Sequence, residues 1–475
     1  MKKIFIYGTF NVLHPGHQRL FRFAKELGGK LIVGVNSDRI LNSISFFKEQ
    51  YRLEGVKNNI WVDEVFILDE EVNDYLIEKK PDIVVKGREY ENKFNLESET
   101  IKKYGGKLIF NSGEATFSSF ELNNPKIIHK NRKINQFPLE FSKRHNINPD
   151  TLEDIILKFK KLKVCVFGDI IIDEYVICNP LGMSQEDPTI VVSPYDYKKF
   201  VGGAGIVSMH ASSLGAKVDF FTVAGQDNSL NFAKSELKKA KVNTFISVDE
   251  KRPTTLKQRF QVDGKTLLRV SHLHQDSIDK NIQKKIFDDF LKNINSYDLI
   301  VFSDFNYGCL PQSLVDKITK ISLEKKIIIV ADSQSSSQIG NVARFKNMDL
   351  ITPTEHEART SLRNYDDGLV VLAEKLQKKS SSKNIILKLG SEGILIHIGK
   401  PKNISKTDRI PALNKSPIDV AGAGDSMLIT SSMATAVGAD PWISACLGSV
   451  AAGIQISKLG NVAIKPEEII REINI

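Results

Sequence analysis

The hydrophobic and polar positions of the chain fall into short apolar runs separated by amphipathic stretches. Runs at residues 3–7, 30–35, 64–68, 83–86 and 107–110 read as five strands. A helical pattern over 15–27 separates the first two, giving β-loop-α-β, the unit that builds a parallel sheet through a right-handed crossover. From about 123 to 149 the pattern dissolves into a stretch rich in Asn and Lys, with Pro125, Pro138 and Pro149, which reads as a linker. A helical stretch over 151–162 leads into a new strand at 163–167. Further strand-like runs at 218–223, 299–302, 326–331 and 385–388 alternate with helical ones. The pattern predicts an α/β chain of two domains, 1–124 and 151–475, joined by a linker over 125–150.

Composition narrows this picture. The 475 residues exceed one ordinary core. With 41% hydrophobic and 26% charged residues the chain is of the globular class. No apolar run reaches the roughly 18 residues of a membrane span, and the start lacks the apolar length and cleavage site of a signal peptide. A cytoplasmic protein with no membrane partner is expected. Cys165, Cys178, Cys309 and Cys446 are scattered, without the paired spacing of a zinc site or a disulfide framework. The net charge of +9 is spread along the chain, and no nucleic-acid-binding motif accompanies it. Phosphorylated small molecules are therefore the expected partners, with no nucleic acid.

The first candidate chemistry is YGTFNVLHPGH, residues 7–17, where the first strand gives way to the first helix. Ligands of open parallel sheets bind beyond the carboxyl ends of the strands, and a helix N-terminus there favours phosphate. Pro15 suits the first helical position, Gly16 permits close approach of a phosphate, and His14 and His17 lie about one turn apart. A single histidine would more often be an ordinary structural residue; the pattern as a whole resembles the cytidylyltransferase-like nucleotidyltransferases. That resemblance runs to about Leu122 and implies a Rossmann-like parallel sheet. It also implies that His14 and His17 stabilise charge on the α-phosphorus as an acceptor phosphate attacks and pyrophosphate leaves. Gly8, Thr9 and Phe10 would line the nucleotide. VGVNSD (33–38), VKGR (85–88) and EATFSS (114–119) also match, and assign nucleotide contacts to Lys86, Arg88, Ser118 and Ser119. Asn11 replaces the aspartate common in the sugar-phosphate branch, and 40–58 lacks a clear basic acceptor motif.

The second is DVAGAGDSM, residues 419–427, ahead of an apolar helical run. Glycines there let backbone N–H groups converge on an anion, and they place a carboxylate, Asp425, beside it. With FVGGAGIVSMHASSLGAKVDFFTVAGQD (200–227), this resembles the PfkB or ribokinase-like sugar kinases, whose fold is an α/β/α sandwich with a small β lid. GDIIIDEYV (168–176), MSQEDPTIVV (183–192), PTTLKQRF (253–260), FSDFNYGCL (302–310) and SKLGNVAI (457–464) bring it closest to the heptose-phosphate kinase branch. The resemblance implies Asp425 as general base, Ala423 and Gly424 as part of the anion hole, and Gly422 with them as nucleotide-binding. Lys388 and Gly390 would lie near the nucleotide and Glu357 near the metal-bound phosphates. Asp173, Gly202 and Gly203 would line the sugar pocket, and Lys257 and Arg259 would meet a phosphate already on the sugar, although alternating basic residues also occur on solvated strands. Two positions depart from the family pattern: Ile206 stands where an Asn is usual, and Thr354 precedes Glu357 in place of another Asn.

Together the two halves resemble bifunctional heptose-7-phosphate kinase and heptose-1-phosphate adenylyltransferases, with the domain order reversed. The resemblance implies anomeric phosphorylation followed by nucleotidyl transfer, with Mg2+ as cofactor and ATP as substrate, CTP being open at the N-terminal site. A different sugar or polyol phosphate, or a domain acting as a ligand sensor, are the alternatives. Family relatives pair through the lid, so a homodimer is expected.

Overall fold

The computed structural model describes residues 2–11, 13, 15–41, 47–87, 95, 97–111, 137–184, 186–187, 189–335, 340–399, 407–414 and 416–474. It separates into two compact units, Met1–Pro125 and Lys126–Ile475.

The first unit runs β1 (Lys3–Gly8), α1 (Pro15–Glu26), β2 (Lys30–Asn36), α2 (Asp38–Leu41), α3 (Glu49–Lys57), β3 (Glu64–Leu68), α4 (Val72–Lys79), β4 (Ile83–Gly87), α5 (Glu97–Lys103) and β5 (Lys107–Asn111). The strands pair in the order β3-β2-β1-β4-β5, every pairing parallel. Successive side chains of a strand point to opposite faces, so β1 supplies two cores. Ile4 and Ile6 pack with Val33, Phe21 and Ala24 on one side, and Phe5 packs with Val84, Leu76 and Ile101 on the other.

In the second unit the order is α6 (Leu139–Arg144), α7 (Pro149–Lys158), β6 (Lys163–Gly168), β7 (Ile170–Met183), β8 (Ile190–Gly203), α8 (Ala204–Ser213), β9 (Lys217–Ala224), α9 (Asn228–Lys239), β10 (Asn243–Val248), β11 (Thr255–Val262), β12 (Lys265–His272), α10 (Lys280–Leu291), β13 (Leu299–Asp304), α11 (Gln312–Glu324), β14 (Ile328–Ser333), β15 (Leu350–Ile351), α12 (Glu355–Leu362), α13 (Leu369–Ser380), β16 (Asn384–Lys388), β17 (Ile394–Ile398), β18 (Thr407–Ile410), α14 (Ala423–Ala436), α15 (Pro441–Gln455) and α16 (Pro466–Ile473). Its main sheet has the order β10-β9-β6-β13-β14-β15-β16-β17-β18, parallel except for the last two strands. Helices cover both faces, which is why inner strands such as β6, β9, β13 and β14 are buried along nearly their whole length. β12, β11, β7 and β8 form a separate four-stranded sheet, the lid.

Part of the stretch expected to be a linker is structured. Phe141 and Ile147 are buried with Leu152 and Ile155 in the core of the second unit. Arg144 and His145 reach Asp408 at 2.9 and 2.8 Å, and the His145 ring stacks on Trp442 at 4.2 Å. Asn148 caps α7 by accepting from Thr151 N at 2.8 Å, with Pro149 in the first helical turn.

Candidate active sites

In the first unit the strand order reverses at β1, leading outward to β2 and β3 on one side and to β4 and β5 on the other. Loops after β1 and β4 therefore diverge, and a crevice opens at their carboxyl ends. Gly8, Thr9 and Phe10 leave β1 at this point. Phe10 has a φ of 50°, an uncommon backbone for a non-glycine residue, and its buried ring packs on Phe21 and edge-on to His17 at 5.1 Å. A side chain at Gly8 would come within 3.2 Å of that ring. Buried Arg52, on α3, ties the loop down: its guanidinium donates to Thr9 O at 2.7 Å, to Phe47 O at 2.8 Å and to Asp38 Oδ1 at 2.6 Å. Across the crevice Lys86, at the end of β4, is paired with the buried Glu97 carboxylate and donates to Asn95 Oδ1 at 2.9 Å. Tyr7 OH donates to the same Glu97 at 2.7 Å. Burial works to raise the Glu97 pKa, but Lys86 and Tyr7 outweigh it and hold it below the ordinary value.

The first crevice thus brings together Gly8, Thr9, Phe10, His17 and Lys86. His14, Arg88, Ser118 and Ser119 lie outside the described residues. Sequence reasoning missed Arg52 and Glu97. Neither stands in a recognisable motif, and each acts through a partner distant in sequence.

The second unit collects its chemistry at the same end of its own sheet. Asp169 follows β6, Asp304 ends β13, Asp332 is the penultimate residue of β14, and Lys388 ends β16. Above them begins α14, whose N-cap, Gly422, has a φ of 75°, the left-handed region that glycine enters at no steric cost. A side chain there would also meet Asn461 Oδ1 at 2.6 Å. The turn aims the start of the helix, Ala423 and Gly424, at the crevice and places Asp425 in its first turn.

Asp425 is 6% exposed. Burial pushes its carboxyl up to about 7; Asp332 and Asp173 add to the rise, while Lys388 and a hydrogen bond from Gln334 oppose it. Lys388 Nζ pairs with Asp332 Oδ2 at 2.7 Å. A Cβ on Gly424 would lie 3.2 Å from Lys388 Nζ, so the ammonium sits beside the first turn of α14. Burial opposes the lysine's charge, but Asp332 and Glu357 keep its pKa above the ordinary value. Gly390, with a φ of 63°, turns the chain just beyond.

The residues expected to line a sugar pocket form a second group. Asp173 on β7 accepts from Arg259 at 2.7 Å through Oδ1 and from Asn461 Nδ2 at 2.9 Å through Oδ2. A side chain at Gly202 would strike the same carboxylate at 2.3 Å, and Gly203 has a φ of 58° at the start of α8. Arg259 is therefore committed to Asp173 and lies over the Tyr175 ring, while Lys257 Nζ lies 5.3 and 5.1 Å from the centroids of Phe305 and Tyr307. Tyr175 OH donates to Asp419 Oδ2 at 2.6 Å, which joins the lid to the loop before α14. Ile206, on α8, is fully buried. Thr354 caps α12, and Glu357 completes a capping box: its Oε2 accepts from Thr354 N at 2.7 Å and its Oε1 from Ser335 N at 2.9 Å.

Asp332, Gln334 and Asn461 were not singled out from the sequence. A carboxylate closing a buried parallel strand was a usable signal for Asp332. Nothing in the spacing points to Asn461, which meets Asp173 from 288 residues away.

The fold and this crevice define a carbohydrate kinase of the pfkB class, preceded by a nucleotidyltransferase-like domain. Residues 161–468 match the family model described as pfkB family carbohydrate kinase, and residues 5–138 match Cytidylyltransferase-like. The chain belongs to the pfkB carbohydrate kinase family and carries a cytidylyltransferase-like domain ahead of it. It is similar to the bifunctional protein HldE of Aliarcobacter butzleri, 30% identical over 316 residues, which is 65% of this chain and 64% of that one. HldE of a Nitratiruptor species is 28% identical over 313 residues, with the same coverage. The chain therefore spans about 64% of the length of these curated relatives. Among solved structures, phosphofructokinase-2 from Escherichia coli, in complex with substrates and products, superposes with a TM-score of 0.54 at 14% identity, over 66% of this chain and 98% of that one. Arabidopsis thaliana ribokinase complexed with ribose and ATP gives 0.52 at 14% identity, over 66% and 99%. Likeness at this level bears on the fold of the second unit.

Proposed function

We propose that the chain is a bifunctional enzyme making a nucleotide-activated sugar, with ADP-heptose or a related nucleotide heptose as product. The observation that carries this reading is Asp425, a buried carboxylate in the first turn of a glycine-capped helix, beside the half-buried Lys388, at the carboxyl ends of a parallel sheet.

In the kinase step Asp425 takes the proton of the sugar's anomeric hydroxyl as that oxygen attacks the γ-phosphorus of ATP and ADP leaves. The start of α14 and Lys388 neutralise the charge on the transferred group. Asp173 orients sugar hydroxyls; Lys257 meets the phosphate already on the sugar, and Arg259 contributes mainly by holding Asp173. Among the described residues no group of three or more His, Cys, Asp or Glu stands ready to ligate a metal directly. This suits magnesium carried in on the nucleotide with its water shell. Asp332 Oδ1, buried with no hydrogen-bond partner among the described residues, and Glu357 would hold those waters. Magnesium supplies neutralisation of phosphate charge. In the second step the sugar 1-phosphate attacks a nucleotide α-phosphorus in the first unit. His14, His17, Lys86, Arg88, Ser118 and Ser119 bind the phosphates, and ATP or CTP is the donor.

The reading also holds that the enzyme is cytoplasmic and a homodimer joined through the lid. No helix among the described residues is long and apolar enough to cross a membrane.

Phosphorus NMR with magnesium, ATP and heptose 7-phosphate tests the two steps. Wild type is expected to form a sugar bisphosphate and then a nucleotide sugar. Asp425→Asn should stop the first step, and His17→Ala only the second. Absence of turnover by wild type would remove heptose 7-phosphate as substrate.

A further inference from the structure

The base of the kinase site is held by a side chain that has no role in the reading above. Gln334 directly follows β14, and its backbone N–H donates to Asp304 O at 2.8 Å, which anchors it to the neighbouring strand β13. The next residue, Ser335, donates its N–H to Glu357 Oε1 at 2.9 Å. Gln334 is thus fastened on two sides. From this position its Nε2 donates to Asp425 Oδ1 at 2.9 Å. Lys388, the nearby cation, is turned to Asp332. Among the described residues the Gln334 amide is the side-chain donor that hydrogen-bonds Asp425.

We propose that Gln334 is a positioning residue for phosphoryl transfer: by occupying Oδ1 it fixes the plane of the Asp425 carboxylate and leaves Oδ2 to receive the substrate proton. The proposal rests on the reading of Asp425 as general base. A carboxylate on a helix can rotate about its side-chain bonds, and a base aimed away from the attacking hydroxyl forfeits the advantage of proximity. A primary amide is suited to this task because it donates to the ionised carboxylate without itself taking the proton. Donation to the charged form also favours that form. Burial and the Asp332 and Asp173 carboxylates push Asp425 toward protonation, whereas Lys388 and Gln334 oppose them. Removing the amide therefore misaims the base and leaves a larger fraction of it protonated.

Gln334→Met keeps the length of the side chain without the donor, and Gln334→Lys restores a donor of similar reach. With magnesium, ATP and heptose 7-phosphate, Gln334→Met should lower kcat about tenfold to a hundredfold, the weight of a hydrogen bond to a charged group, with KM little changed. Gln334→Lys should recover part of that loss. A second readout needs no substrate: the carboxyl carbon of Asp425, followed by NMR in aspartate-labelled protein and assigned by its absence in Asp425→Asn. Its titration midpoint should rise by about 1 in pH in Gln334→Met, since a tenfold change in equilibrium is one pH interval. An unchanged kcat overturns the proposal. So does a midpoint equal to that of wild type, and this arm decides even if heptose 7-phosphate proves not to be the substrate.

Discussion

At the scale of single residues, the second site concentrates ionisable groups that a fold would otherwise avoid. Asp425 and Asp332 are buried beside Lys388, whose side chain is 12% exposed, so two carboxylates share one ammonium. The consequence can be measured at Asp425, whose carboxyl is pushed up to about 7 from an ordinary 3.8. Under the proposed role as general base it must be ionised, so the kinase rate should fall as pH drops through 7. Stability runs the other way. Because the folded-state pKa is raised, the folded protein binds a proton more readily than the unfolded chain; stability is highest below pH 4 with respect to this group and declines as pH rises to 7. Asp425→Asn removes the ionisation. Thermal unfolding should show the variant more stable than wild type at pH 8, by on the order of a few kcal/mol, with the gain shrinking toward pH 4. Equal melting temperatures at pH 8 would mean that the site tolerates the charge without cost.

Among the elements, the helices ahead of the kinase sheet show best what the sequence concealed. α6 is six residues long and lies between Pro138 and Asn146, whose φ is 51°. So short a helix has no stability of its own, and its sequence reads as loop. What forms it is Phe141, which packs against Trp442 across almost the whole length of the second unit. Phe141→Ala should destabilise that unit by about 3–5 kcal/mol, the usual cost of emptying a large buried site, read from the urea midpoint of kinase activity. Parallel strands and glycine turns were legible for the opposite reason. Their signals are local: an apolar run such as 299–302, or the need for a left-handed residue at Gly422. The same division holds in the sites. Asp425 and Lys86 could be placed because they close local motifs. Arg52, Asn461 and Gln334 could not, because each acts on a partner 43, 288 or 91 residues away, and no period or spacing encodes such a meeting.

Taken as a whole molecule, the feature that single-chain packing leaves unresolved is the lid. Its four strands end at two edges, β12 and β8, neither of which has a further strand beside it among the described residues. An uncovered edge offers a row of unused N–H and C=O groups to another chain. On and beside these strands Leu181, Met183, Ile190, Tyr195, Tyr197 and Leu268 are each more than half exposed. Apolar groups gathered on one small sheet are better covered than hydrated, and a second copy offers the same surface in return. Light scattering at micromolar concentration should therefore give about twice the chain mass of 53.2 kDa. Charging the surface with Tyr195→Glu and Tyr197→Glu together should halve that mass. The lid also carries Asp173, Arg259 and Lys257, so under the proposed function separation of the copies should raise the KM for the sugar phosphate more than it lowers kcat. A monomeric wild type would remove the dimer, and a dimer unaffected by the paired substitution would move the interface elsewhere on the chain.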